Sequence, residues 1–190
     1  YVRMSSQGYE YVKPKRKKKK KRNLRAASNF TAPPLLPASY KNDDDDRSLV
    51  ILGEDTRSRV TTTNRYPYST IMELDYGGGQ GGCTATVVSR KAALTAGHCV
   101  FEGGQFFNIA RGVPGRDDGS EPFGSWAVDY MTTFETWKAD EPRNYDVAVI
   151  VFQANADGKY PGDVVGAMGM GRPTLNKLEP TTVTGYPVDK

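Results

Sequence analysis

Long apolar runs are missing from this 190-residue chain. Nothing in it approaches the ~20 consecutive apolar residues that a membrane-crossing helix needs. No hydrophobic leader opens the chain either, but it starts at Tyr1 rather than Met, so the sequence is silent about a signal peptide. Histidine occurs once, as His98. With no second imidazole and no suitable cysteine pair around it, no metal site is expected, and no organic cofactor is implied. Cysteine occurs twice, at Cys83 and Cys99. In a cytosolic protein these would be free thiols, in a secreted one a single bridge, and the spacing alone leaves both open. Leucine is scarce beyond residue 50, while Gly, Thr, Tyr and Val are plentiful. Short, punctuated apolar segments of that kind fit strands better than helices.

Charge divides the chain. Residues 1–49 hold 13 Lys/Arg against 5 Asp/Glu, a net of +8, and residues 50–190 hold 13 against 17, a net of −4. The overall +4 therefore describes a basic arm rather than the remainder. Its centre is the unbroken cationic block Lys15–Arg22, which repels itself and has no apolar face to bury. Pro33, Pro34 and Pro37 follow in an extended linker, then the acidic run Asp43–Asp46 ending at Arg47. Residues 1–49 are expected to form a disordered basic pro-segment or linker, and 50–190 a folded domain. The cationic block is also a candidate nucleic-acid patch. It lacks interleaved aromatics and a folded reader, so no nucleic-acid partner is expected, and no membrane.

From Val50 onward, strands are expected over 68–76, 83–88, 92–95, 125–132, 146–152 and 181–186, with a loop over 112–124. Many short strands with turn signals between them imply an all-β barrel or sandwich. Two segments carry chemistry. Leu94-Thr95-Ala96-Gly97-His98-Cys99 places an imidazole just past a short strand, beside a cysteine whose only partner within the chain is Cys83. Asn144-Tyr145-Asp146 places a carboxylate at the head of the most apolar run, Val147–Phe152. A lone His is usually a satisfied surface or core residue, and a lone Asp at a strand head usually marks where the strand meets water. A rigid strand is nevertheless where an acid must sit to accept the Nδ1–H of an imidazole.

Thr95-Ala96-Gly97-His98-Cys99, Gly82-Cys83-Thr84 and Asn144-Tyr145-Asp146-Val147-Ala148-Val149 together resemble the motifs of chymotrypsin-like serine proteases. Val50–Val60 with Tyr66-Pro67-Tyr68, and Val183-Thr184-Gly185-Tyr186-Pro187, resemble the glutamyl endopeptidase group in particular. The resemblance covers about 140 residues, from Val50 to the end. It implies a double β-barrel of which only the first barrel and the start of the second are present. It implies His98 and Asp146 as two triad members, a Cys83–Cys99 disulfide, Val50 as mature N-terminus, and secretion. Polypeptides are the implied substrates. The segment that carries the nucleophilic serine in this family is expected beyond Lys190, so the fragment alone is expected to be inactive. Arg47 closes a run resembling an activation site, which implies an activating protease as a partner. Two rival functions stand beside the protease: a catalytically inactive homologue acting as a binding or regulatory module, and a basic-tail nucleic-acid-binding protein.

Overall fold

The computed structural model describes residues 55–77, 81–171 and 181–187, together with the backbone of 2–5 and 8–11. The chain divides into two compact units, one of Tyr1–Pro14 with Val60–Lys190, the other of Lys15–Arg59. In the second unit the described residues are 55–59, where Arg57 Nε donates to Asp55 Oδ1 at 2.9 Å. The basic block, Arg47 and Val50 all lie outside the described residues.

The first unit opens with strands β1 (Val2–Ser5) and β2 (Gly8–Tyr11), an antiparallel hairpin. The sequence predicts a disordered arm here, on the strength of the lysine block. The hairpin lies ahead of that block, in a stretch where apolar and polar residues alternate as strands require.

A 3-10 turn over Tyr68–Thr70 leads into β3 (Ile71–Asp75), followed by β4 (Gly81–Val87) and β5 (Ala92–Thr95). The short pair β6 (Phe101–Glu102) and β7 (Gln105–Phe106) precedes β8 (Arg111–Pro114) and the long β9 (Trp126–Thr133). Helix α1 (Glu135–Asp140) and a 3-10 turn over Arg143–Tyr145 bring the chain to β10 (Ala148–Phe152), and α2 (Pro161–Val165) follows. Six strands form a closed antiparallel ring, in the order β3-β4-β5-β10-β9-β8 and back to β3. Strand β9 is long enough to serve two neighbours, pairing with β8 at its start and with β10 at its end. Its outer edge over Tyr130–Thr133 also receives β1.

Alternation builds the core. In β10 the side chains of Ala148, Ile150 and Phe152 are buried and those of Val149 and Val151 are only half-buried. Met72, Leu74, Ala85, Val87, Ala93, Trp126 and Met131 meet them inside the barrel. Each large side chain so buried contributes about 1.5–3 kcal/mol, the main favourable term in folding.

Two expectations over this region are revised. Residues 111–114 form a strand rather than the start of a loop. Gly112 and Pro114 read as breakers, yet a Cβ at Gly112 would lie 2.7 Å from Phe152 Cε1, so the core itself demands the small residue. Residues 181–187 form no strand. The Tyr186 N–H is taken by the Thr84 hydroxyl at 2.8 Å instead of a strand neighbour, and the Tyr186 hydroxyl donates to the Arg116 carbonyl at 3.1 Å.

Candidate active site

Strand β5 ends at Thr95, whose hydroxyl donates to the Thr84 carbonyl on β4 at 2.8 Å. The chain then turns within a few residues, the amides of Val100 and Phe101 both donating to the Gly97 carbonyl at 3.0 and 2.9 Å. His98 stands at the outside of this turn with its side chain 51% exposed. Its neighbour Cys99 is buried and forms the disulfide with Cys83 of β4, the two Cα atoms 6.0 Å apart. The crosslink ties the turn to the barrel wall. Tyr76 adds a second tether, donating its hydroxyl to the Cys99 carbonyl at 2.8 Å. Burial pushes the Tyr76 phenol up to about 12, so it keeps its proton and remains a donor at neutral pH.

Asp146 leaves the 3-10 turn two residues ahead of β10. Across the barrel mouth its two oxygens meet two nitrogens of one residue. The His98 backbone N–H donates to Oδ1 at 2.8 Å, and the imidazole Nδ1 lies 2.8 Å from Oδ2. The pair of bonds fixes both position and tilt of the carboxylate, where one bond would leave it free to swing. With Asp146 accepting at Nδ1, the other ring nitrogen is available to take up and release a proton. β9 supports the arrangement from behind, since the Thr133 hydroxyl donates to the Val147 carbonyl, next to Asp146, at 2.9 Å.

Trp137, a residue the motifs do not include, lies beneath this site. It is buried on the inner face of α1 and donates its indole N–H to the Phe101 carbonyl at 2.9 Å. Its presence among only two tryptophans was the sole signal in the sequence. A separate groove of about 480 Å³, lined by Pro67, Tyr68, Ile71, Thr86, Met168 and residues 182–184, includes neither His98 nor Asp146.

A closed six-stranded barrel with these pairings is the chymotrypsin-like class of fold, and known proteins bear this out. The family model named Trypsin matches residues 57–188, and the chain belongs to that family. A glutamyl endopeptidase of Bacillus licheniformis is 33% identical over 143 residues, 74% of this chain and 43% of the relative. A protein of Bacillus subtilis named extracellular metalloprotease is 30% identical over 149 residues, again 74% of this chain and 45% of the relative. A solved structure of a Glu endopeptidase superposes with a TM-score of 0.58 at 27% identity, covering 66% of this chain and 56% of that one. The chain thus spans less than half the length of these two curated relatives.

Proposed function

We propose that this chain is the first-barrel portion of a secreted serine endopeptidase. His98 acts as general base towards a serine and then as general acid towards the leaving amine, while Asp146 holds the imidazole tautomer and stabilises the imidazolium. The nucleophile comes from chain beyond Lys190, because the Gly-Asp/Gln-Ser-Gly type of segment does not occur in these residues. The observation that carries the reading is the double contact of Asp146 with His98. A disulfide beside the site suits an oxidising, extracellular setting, as does the word extracellular in the name of one relative. Substrates are polypeptides, and cleavage after glutamate, named for the other relative, is the first specificity to assay. An activating protease cutting after Arg47, or a mature chain starting at Val50, would be distinguished by N-terminal sequencing of secreted material.

The word metalloprotease in the name of the Bacillus subtilis relative raises a metal mechanism. Among the described residues, the one group of ligand type is Cys83, His98 and Cys99, with donor atoms within 4.8 Å of one another. Both sulfurs are consumed in their mutual bond and Nδ1 faces Asp146, so this donor set does not fit a metal ion.

A fluorophosphonate probe, which phosphonylates activated serines with loss of fluoride, tests the proposal on the full-length gene product. Labelling is expected in the unaltered protein and is abolished by His98→Ala. Peptidase activity that persists in His98→Ala, or that disappears only with a chelator, would overturn it.

A further inference from the structure

Gly97, immediately before His98, is tightly hemmed in by two side chains. A Cβ at that position would lie 3.0 Å from Asp146 Oδ1 and 3.0 Å from both Cε2 and Nε1 of Trp137. The carboxylate and the indole edge therefore converge on the volume that an alanine methyl would fill. Neither is free to retreat. Asp146 Oδ1 is held by the His98 N–H, and the indole N–H is committed to Phe101, with Trp137 only 5% exposed. The indole consequently grips the His98 turn at both ends, packing on Gly97 and hydrogen-bonding the carbonyl of Phe101.

We propose that Trp137 is a positioning residue for the His98–Asp146 pair: its indole edge and the bare Cα of Gly97 together form the socket that keeps the Asp146 carboxylate facing both nitrogens of His98. The proposal rests on the reading of that pair as the acid–base couple of a serine peptidase, and it adds a residue from α1 whose own hydrogen bond goes to the Phe101 carbonyl. A wall of this kind acts by removing the carboxylate's alternative rotamers, so that its hydrogen bonds form without first having to order the group.

His98 being the only histidine, its ring protons give an unambiguous nuclear magnetic resonance signature in the full 190-residue chain. A proton held between Nδ1 and Asp146 exchanges slowly with water and gives a separate downfield resonance. That resonance is expected in the unaltered chain and is expected to vanish in Asp146→Asn. Gly97→Ala forces the methyl into the socket, and the resonance is lost. Trp137→Leu removes the indole wall altogether, and the resonance is lost. Trp137→Phe, a milder change that keeps a ring but drops the N–H, leaves the resonance in place with exchange about tenfold faster, the equivalent of one lost hydrogen bond. Amide exchange in β3 and β10 reports the integrity of the barrel in each variant. A folded Gly97→Ala chain that keeps the resonance would overturn the proposal, as would a folded Trp137→Leu chain that keeps it. Should both unfold, unchanged exchange in Trp137→Phe overturns it alone. If the unaltered, folded chain lacks the resonance altogether, it is the acid–base reading of the pair that fails.

Discussion

At the scale of the residue, the double contact of Asp146 sets what a single atom is worth. Replacing Asp146 by Asn keeps the shape and still leaves one oxygen to accept from the His98 amide. The amide nitrogen of Asn is a donor, however, and facing Nδ1 it selects the tautomer with its proton on the wrong nitrogen. On the proposed role of the pair, Asp146→Asn in the full-length protein is expected to lower kcat by about 10⁴-fold, with KM changing far less, since the loss falls on the transition state. Steady-state kinetics on a peptide substrate checks this. The meeting of His98 with Asp146 was legible in the sequence because each sits in a run that resembles a motif of the family. Small residues precede the imidazole, a cysteine follows it, and an apolar strand follows the acid. Trp137 was not legible, because nothing local distinguishes a tryptophan that supports a site from one that fills a core. Its role comes from α1 folding back over residue 97, a meeting across 40 positions of chain.

At the scale of the element, a charged cluster joins β3, β8 and the loop that leads into β9. Arg111 on β8 donates to the buried Asp75 on β3 at 3.0 Å and to Glu121 at 2.9 Å. Arg116 Nη1 lies 3.0 Å from Glu73 Oε2, as an ion pair whose angle is too poor for a hydrogen bond. The Gly77 amide, 2.8 Å from Asp75 Oδ1, does most to hold that carboxyl below its ordinary 3.8, with Arg111 and Arg116 helping and burial opposing. A carboxyl depressed in the native state adds stability that is complete above its unfolded value and is lost as pH falls through its native one. Asp75→Asn is therefore expected to cost about 1–3 kcal/mol near neutral pH, because Arg111 loses a charged partner. The gap from the unaltered chain narrows as pH falls below about 3.8 and on through the lower native value. Urea unfolding across that pH range measures both parts. Of the elements themselves, β10 was plain in the sequence because five apolar residues in a row leave little choice. β8 was hidden, since Gly112 and Pro114 serve tertiary packing against their local preference. Helix α1, six residues long, is too short for a periodic pattern to emerge and is fixed instead by the burial of Trp137.

At the scale of the whole molecule, the barrel is a ring, and rings are as strong as their shortest junctions. Most neighbouring strands share four or more residue pairs, but β4 with β5 and β8 with β9 share only two each. The disulfide spans the first of these short junctions, since Cys83 lies on β4 and Cys99 just past β5. It closes a loop with a sequence separation of 16, for which chain entropy gives about 3 kcal/mol. The paired replacement Cys83→Ser with Cys99→Ser is expected to lower unfolding stability by that amount, read from the urea midpoint at constant slope. The second short junction has no covalent stitch; the Arg111 cluster stands at its mouth. Reductant and acid should accordingly strain the same hoop at different staves, thiols prising β4 from β5 and protonation of Asp75 weakening the tie of β8 to β3. A chain treated with both at once would then be weakened at two junctions, with β3 and β4 on one side and β5, β10, β9 and β8 on the other, where either treatment alone leaves a single sheet that can close again.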